Sequence, residues 1–326
     1  MYKVLVTARI FGHVSEDAYN GFKEKGIEVL PNPCKGRALS EDELIEMIDG
    51  AHGLLTGVDP VTARVIESAR QLKVISKFGA GVDNIDLQAA TRKGVIVTNA
   101  PGTNSDSVAD MAFSLMLAIS RRIPLAFDLV RKGEWPLLMG TEIWNKTLGI
   151  VGLGNIGKRV ALRAKGFNMK VLAYEIAPDE PFVKANDIQL VGLDQLLRES
   201  DFISIHTPLT AETRNLMGKE QFAFMKPSAF LVNTARGGIV DEAALYEALK
   251  SEKIAGAAFD VLEQEPPKDR KLLGLDNFIV TPHIAAFTAE AIGNMERLSS
   301  QNIIDVLEGR IPPHVVNKEV LKLNGL

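Results

Sequence analysis

Apolar runs and helical patterns alternate from the first residues of the chain. Short apolar runs predict strands at residues 4–8, 27–31, 53–57, 72–79 and 95–99. Helical patterns lie between them, at residues 16–26, 41–50, 62–70 and 86–94. Such alternation is typical of βαβ units, so this part of the chain predicts an α/β domain with a mostly parallel sheet.

A second series begins after a predicted long helix at 104–122 and an arm at 131–138. Its predicted strands are 148–152, 170–175, 201–206, 229–233, 255–260 and 277–281, and its helices include 155–165, 193–200 and 241–252. The final predicted helix, 289–308, leaves this series, so we expect the tail to return to the first domain. The expected fold class is α/β with two doubly wound parallel-sheet domains. The first is discontinuous, 1–100 and 290–326, and the second, 101–289, is inserted into it.

Composition and charge narrow the possible partners. A net charge of −4 and a pI near 5.8 argue against nucleic acid and anionic membranes, because both need a basic face. Cys34 is the only cysteine, which excludes an internal disulfide and suits a reducing compartment. The start, MYKVLVTA, resembles a strand rather than a signal peptide. The apolar stretch 108–120 is too short to span a membrane. We expect a cytoplasmic protein that acts on a small molecule.

Residues 147–167, TLGIVGLGNIGKRVALRAKGF, join a predicted buried strand to a helix. Gly152, Gly154 and Gly157 form a G-x-G-x-x-G turn, with Asn155 and Ile156 between the last two glycines. Glycines let the backbone approach a pyrophosphate, and the first N–H groups of the helix can hold that anion. The same motif also occurs in glycine-rich turns that bind no ligand, so the motif alone is weak evidence for a binding site.

The next predicted strand supplies a second signal. It ends at Glu175, close to the ~20-residue spacing from the glycine turn that dinucleotide folds show. A carboxylate there can accept the adenosine ribose hydroxyls and would repel a 2′-phosphate, and residues 176–178 offer no cation to bind one. This favours NAD over NADP. The alternative is an exposed charge at a strand end.

Three ionisable residues follow predicted strands of the second domain: Arg236, Glu265 and His283. Parallel strands end at one edge of a sheet, where ligands bind, so these residues can converge. Taken singly, they could be a surface cation, a solvated loop acid and a packed histidine. Together they supply a guanidinium for a carboxylate, an imidazole for proton exchange, and a carboxylate to orient that imidazole. The set suits hydride exchange between a nicotinamide and a 2-hydroxy acid.

The chain resembles the D-isomer-specific 2-hydroxyacid dehydrogenases over nearly its whole length. The shared motifs are KFGAGVDNID (77–86), the glycine turn, HTPLT (206–210), MKPSAFLVNTARGGIVD (225–241) and PHIAAFT (282–288). The resemblance implies a flavodoxin-like substrate domain, acting as a lid, and an inserted Rossmann NAD-binding domain. It also implies a homodimer, in which the helix after Asn104 and the arm around Trp135 wrap around the second subunit. By themselves, Trp135 and Trp144 could pack within one subunit.

The same resemblance implies roles for single residues. Arg236 binds the substrate carboxylate and carbonyl, and Glu265 and His283 form the acid/base pair. The implied cofactor-binding residues are Gly152, Gly154, Asn155, Ile156, Gly157, Glu175, His206, Pro208, Thr213, Thr234, Ala235 and Asp260. The implied substrate-binding residues are Lys77, Ala80, Gly81 and Arg236. No metal is expected.

This chain departs from the family at two places that affect substrate choice, and the sequence does not identify the substrate. Ala285 stands where many relatives have glycine, and its methyl group narrows the space near the nicotinamide. The turn LLTGVDPVTA (54–63) lacks the arginine that phosphoglycerate dehydrogenases carry there, although Lys77 or Arg37 could replace it. Glyoxylate, hydroxypyruvate, pyruvate, a longer 2-keto acid and 3-phosphohydroxypyruvate all satisfy the shared chemistry.

Two other functions use the same fold. Formate dehydrogenases place glutamine beside the catalytic histidine, whereas this chain has Glu265, which suits proton donation to a keto acid. NADH-sensing corepressors retain the three ionisable residues, so those residues alone do not exclude a binding protein. Such a corepressor would be expected to carry additional tails for its partners.

Overall fold

A computed structural model describes residues 1–15, 17–32 and 37–325, so Cys34 lies outside the described residues. The chain divides into two compact units. Unit 1 comprises Met1–Asn104 and Phe287–Leu326, and unit 2 comprises Ser105–Ala286. The sequence-based division falls after residues 100 and 289.

The first segment of unit 1 alternates strands and helices. Its strands are β1 (Lys3–Val6), β2 (Glu28–Leu30), β3 (Gly53–Thr56), β4 (Val74–Lys77) and β5 (Ile96–Thr98), and its helices are α1 (Asp17–Glu24), α2 (Glu41–Met47), α3 (Ala63–Ser68) and α4 (Leu87–Arg92). The strands form one parallel sheet in the order β2-β1-β3-β4-β5, which is the flavodoxin-like order.

Local chemistry explains why these elements form. β3 and β4 are buried along their whole length, as expected for parallel strands covered on both faces. Each of three helices begins at a residue whose side chain accepts a backbone N–H: Ser40 for α2, Thr62 for α3 and Asp86 for α4. At α2 the Glu43 carboxylate also accepts the Ser40 N–H at 2.8 Å, which completes a capping box.

Unit 2 is one continuous segment with a larger sheet. Its elements are α5 (Ser105–Ser120), α6 (Ile123–Arg131), β6 (Thr147–Val151), α7 (Asn155–Ala164), β7 (Lys170–Tyr174), α8 (Glu180–Ala185), β8 (Gln189–Leu190), α9 (Leu193–Glu199), β9 (Phe202–Ile205), α10 (Lys219–Phe224), β10 (Phe230–Asn233), α11 (Glu242–Lys250), β11 (Gly256–Phe259) and β12 (Phe278–Val280). The strands pair in parallel in the order β12-β11-β10-β9-β6-β7-β8. This is the Rossmann order with a seventh strand, and the predicted fold class is confirmed.

Several short elements were not among those predicted from the sequence. α8, β8 and α10 have two to six residues each, too few for a hydrophobic period to show. α6 follows α5 after Arg122, whose left-handed backbone (φ 52°) interrupts the helix. Among the described residues no helix combines the length and apolar character needed to cross a membrane.

The last segment of the chain completes unit 1. It contains α12 (Ala289–Leu307) and α13 (Glu319–Leu323). Ile303 and Leu307 of α12 are buried in the same apolar cluster as Val4 and Val74 of the sheet. Further along, the Asn317 side chain accepts the Val97 N–H at 2.8 Å. α12 therefore packs on the first sheet.

Candidate active site

Unit 2 brings the three predicted ionisable residues to the carboxyl edge of its sheet. Arg236 follows β10, Glu265 follows β11 and His283 follows β12, and these strands are neighbours in the sheet. The Nδ1 atom of His283 lies 2.8 Å from Oε2 of Glu265. Both side chains remain open to solvent, at 46% and 38% exposure. The pair is therefore formed at an accessible edge.

The backbone of His283 is held in an uncommon conformation. Its φ is 55°, in the left-handed region, and its N–H donates to the carbonyl oxygens of Asp260 and Thr281, both at 2.9 Å. A non-glycine residue in this region costs free energy, so the surrounding contacts must impose it. The turn fixes the direction of the imidazole.

Asp260 is the residue that organises this turn. Its carboxylate is 1% exposed and accepts the N–H groups of Ile284 at 2.9 Å and Ala285 at 2.8 Å, together with the Thr281 hydroxyl. Backbone and hydroxyl donors satisfy a buried carboxylate, which would otherwise be costly. Asp260 thus holds the segment on which His283 stands.

Glu265 is oriented by a second bond. Its Oε1 accepts the Leu262 N–H at 3.0 Å, leaving Oε2 for His283. Burial raises the pKa of Glu265, but the hydrogen bond and charge of His283, the Leu262 N–H and the Arg236 charge outweigh it, and the net pKa is lowered. Glu265 is therefore a carboxylate at neutral pH.

The turn that carries Arg236 depends on Asn233 and Gly237. Asn233, 1% exposed, accepts the Ala235 N–H at 3.0 Å and donates to the Arg236 carbonyl oxygen at 2.9 Å. A Cβ on Gly237 would lie 2.1 Å from the Leu262 carbonyl, so only glycine lets this turn approach the Glu265 loop so closely. The approach explains why the Arg236 charge acts on Glu265.

The predicted glycine turn joins β6 to α7. Gly152 has φ 94°, and a Cβ on Gly157 would lie 2.1 Å from the Gly152 carbonyl oxygen. Within the described residues no atom lies within 4 Å of a Cβ built on Gly154, and no side chain caps α7. No described side chain caps the first N–H groups of α7, those of Asn155, Ile156 and Gly157, and the space beside Gly154 is open. This geometry fits a pyrophosphate.

Glu175 follows β7 beside the glycine turn. Its carboxylate accepts the Leu153 N–H at 2.7 Å and the Ala177 N–H at 3.0 Å. The two bonds bring Glu175 to the middle of G-x-G-x-x-G, where the spacing of the two motifs predicts it. In dinucleotide folds, an acidic residue at this place accepts ribose hydroxyls.

Two buried polar atoms without partners lie at the ends of adjacent strands. His206 follows β9 and Thr234 follows β10; among the described residues, neither His206 Nδ1 nor Thr234 Oγ1 has a hydrogen-bond partner. The other ring nitrogen of His206 lies 2.8 Å from the Ser204 hydroxyl. Burial lowers the pKa of His206 to about 3, so its ring is neutral. Orphaned polar atoms at a carboxyl edge fit a polar ligand.

The remaining predicted cofactor residues lie close to His206 in the chain or the sheet. Thr213 donates to the Pro208 carbonyl oxygen at 2.7 Å and accepts the Thr210 N–H at 2.7 Å, which closes the turn after β9. Ala235 is buried beside Thr234. All twelve predicted cofactor residues belong to unit 2.

Unit 1 contains the other predicted substrate residues. Ala80 and Gly81 lie in the loop after β4, and neither of their N–H groups donates to another residue that the structure describes. Lys77, the last residue of β4, is 8% exposed, and its ammonium donates to Asn84 Oδ1 at 2.7 Å and to the Gly57 carbonyl oxygen. The loop thus offers backbone donors, and the Lys77 ammonium bonds within the fold.

The family model for the D-isomer specific 2-hydroxyacid dehydrogenase, NAD binding domain, matches residues 113–285. The chain belongs to this dehydrogenase family. The matched region contains the glycine turn, Glu175 and the two orphaned polar atoms, and the cofactor is NAD. The chain is 45% identical over 288 residues to a glyoxylate reductase of Korarchaeum cryptofilum, covering 86% of each protein.

Two further proteins are similar to this chain over nearly its whole length. A D-3-phosphoglycerate dehydrogenase of Methanocaldococcus jannaschii is 45% identical over 322 residues, 97% of this chain, which spans 60% of the length of that protein. The TT0316 protein from Thermus thermophilus, whose crystal structure is known, is 38% identical, with a TM-score of 0.88, covering 96% of this chain and 99% of the other.

Three residues that shape the site were not singled out from the sequence: Asn233, Thr281 and Asn84. Asn233 orders the turn of Arg236, and Thr281 donates to Asp260. Asn233 ends one predicted strand and Thr281 another, in VNTARG and VTPH, and these positions are the signal that could have identified them. Asn84 offers no such signal, because its partners are distant in the chain.

Proposed function

We propose that this family member catalyses reversible hydride transfer between NAD(H) and a small 2-hydroxy or 2-keto acid. The observation that carries the proposal is the 2.8 Å contact between His283 and Glu265, formed on the same sheet edge as the glycine turn. A carboxylate beside an imidazole stabilises the imidazolium that proton donation requires.

In the proposed reaction, NADH when bound supplies the hydride to the carbonyl carbon. His283 donates a proton from its ring to the carbonyl oxygen, and the carbonyl becomes a CH–OH group. Glu265 balances the charge on the ring before transfer and retains its orientation afterwards. Asp260 contributes by holding the turn that aims His283.

Each unit offers donors for a substrate carboxylate: Arg236 in unit 2 and the loop after β4 in unit 1. A guanidinium can grip a carboxylate with two parallel bonds. The unbonded N–H groups of Ala80 and Gly81 add donors from unit 1, and Lys77 belongs to the same loop region. In this proposal unit 1 is the substrate domain, or lid, and unit 2 is the NAD-binding domain.

A homodimer in the cytoplasm is part of the proposal. α6 and the following arm expose large apolar side chains, a pattern that marks protein interfaces. These residues are Ile123, Phe127, Val130, Trp135, Leu137 and Met139. We assign this surface to a second copy of the chain.

The test is NADH oxidation over a panel of keto acids: glyoxylate, hydroxypyruvate, pyruvate, a longer 2-keto acid and 3-phosphohydroxypyruvate. We expect saturable turnover of at least one, weaker turnover with NADPH, and a product of D configuration. A parallel arm with formate and NAD⁺ should give no reduction. Tight NADH binding without turnover of any keto acid would instead support an NADH-sensing binding protein.

A further inference from the structure

The loop after β4 in unit 1 is closed by the side chains at its two ends. Lys77 precedes the loop and Asn84 ends it, and both bind the Gly57 carbonyl oxygen. Lys77 also donates to Asn84 Oδ1 at 2.7 Å, and Asn84 donates to the Asp59 carbonyl oxygen at 2.6 Å. We call Gly57, Lys77 and Asn84 the clasp.

Burial commits the Lys77 ammonium to the clasp. Lys77 is 8% exposed, and an ammonium withdrawn from water must be bonded by protein groups. The Gly57 carbonyl and the Asn84 amide oxygen supply those bonds. Moving the ammonium to a substrate would leave both oxygens without this donor.

The turn gripped by the clasp is itself fixed. Asp59 is 1% exposed, and its carboxylate accepts the Thr7 hydroxyl at 2.6 Å, the Thr56 hydroxyl at 3.0 Å and the Leu39 N–H at 2.8 Å. Val61 N–H also donates to the Asn84 carbonyl oxygen at 2.8 Å. The clasp therefore fastens the loop to a rigid anchor.

In the loop held by the clasp, carbonyl oxygens are bonded, whereas two N–H groups donate to no residue that the structure describes. The Gly79 carbonyl oxygen accepts the Ala100 N–H at 2.8 Å, and the Ala80 carbonyl oxygen accepts the Asn99 side chain at 2.7 Å. The carbonyls are thus tied down, while the Ala80 and Gly81 N–H groups bind no described residue. Donors fixed before the ligand arrives bind an anion at little reorganisation cost.

We infer that Lys77 and Asn84 are positioning residues for the substrate carboxylate. They act by holding the Ala80 and Gly81 N–H groups in place, and Lys77 does not itself contact the substrate. The inference rests on the proposed function, because it assumes that these N–H groups meet a keto acid. It also removes Lys77 as a replacement for the missing phosphate-binding arginine.

The test compares Lys77→Met, Asn84→Ala and the double variant in steady-state reduction of the preferred keto acid. Either single change should raise KM about tenfold, in keeping with the loss of one or two buried hydrogen bonds, while kcat changes by less than about threefold. NADH affinity should be unchanged. Because both residues act through one clasp, the double variant should be no worse than the poorer single variant.

Lys93→Met is the matched control. Lys93 also binds three carbonyl oxygens in unit 1, those of Ile66, Glu67 and Ala69, but away from the loop after β4. This variant should lose thermal stability without a change in KM. Asn84→Asp, which retains an oxygen for Lys77 but loses both N–H donors, serves if Asn84→Ala does not fold.

Three results would overturn the inference: an unchanged KM in the Asn84 variants, multiplicative effects in the double variant, or a Lys77→Met effect confined to phosphorylated substrates. The last two would identify Lys77 as a direct ligand. An unmodified protein that reduces no keto acid would refute the proposed function instead, so the two failures are distinguishable.

Discussion

The carboxyl edges of the two sheets use charge in opposite ways. In unit 2, Arg236, Glu265 and His283 extend from strand ends, and the acid/base pair stays open to solvent. In unit 1, Asp59 and Lys77 are buried and bonded inside the fold, and the loop after β4 offers backbone N–H groups. In the proposed function, the unit 2 edge transfers a proton and the unit 1 edge binds a carboxylate through its backbone N–H groups.

This difference separates the expected effects of substitution. Side chains that touch the reacting atoms act on kcat, because their interactions strengthen in the transition state. Groups that bind the substrate equally throughout the reaction act on KM. Unit 2 should therefore contain the changes that abolish turnover, and unit 1 those that weaken substrate binding.

The most severe loss is expected for His283→Ala. Removing the proton donor should lower kcat for keto acid reduction on the order of 10³-fold, the scale of general acid catalysis. NADH affinity, measured by fluorescence titration, should stay nearly unchanged. Glu263→Gln is the control, because Glu263 lies in the Glu265 loop and pairs with Arg214 at the surface. If NADH binding falls together with turnover, the donor role loses its support.

A smaller loss, in KM, is expected for Arg236→Lys. An ammonium cannot reproduce the two parallel bonds of a guanidinium, so KM should rise on the order of tenfold to a hundredfold. Steady-state kinetics with the preferred keto acid measure this rise in KM. Arg214→Lys, an exposed arginine paired with Glu263, should behave like the unmodified protein. Equal kinetics for the two variants would remove Arg236 from the carboxylate site.

The mildest effect concerns pH and His206. Burial lowers the pKa of His206 from 6.5 to about 3, so the folded state keeps the ring neutral while the unfolded chain takes up a proton below pH 6.5. Falling pH therefore favours unfolding across that window. Between about pH 7 and about pH 4.5, Tm should fall more steeply for the unmodified protein than for His206→Gln. Parallel Tm curves would contradict the buried neutral histidine.

Much of the unit 2 edge could be located from the sequence. The glycine turn, Glu175, Arg236 and His283 each follow an apolar run that reads as a strand, and parallel strands bring such positions to one edge. Once the order of the strands is known, these residues are expected to lie close together at one edge of the sheet. The 2.8 Å contact of His283 with Glu265 is one consequence.

The clasp and its anchor could not be found in that way. The Thr7 hydroxyl and the Asp59 carboxylate lie 52 residues apart in the chain, and Lys77 and Gly57 lie 20 apart. Nothing in local spacing marks such pairs, since they exist only once the sheet has formed. Short elements such as β8 are missed for a related reason: tertiary pairing, rather than periodicity, defines them.

The return of α12 to the first sheet also bears on biosynthesis. Unit 2 is one continuous segment of the chain, so it can fold as soon as residue 286 has left the ribosome. Unit 1 must wait for Ile303 and Leu307, which cover Val4 and Val74. Until then residues 1–104 carry an apolar surface that α12 has not yet covered, and exposed apolar surface of this kind promotes aggregation during synthesis.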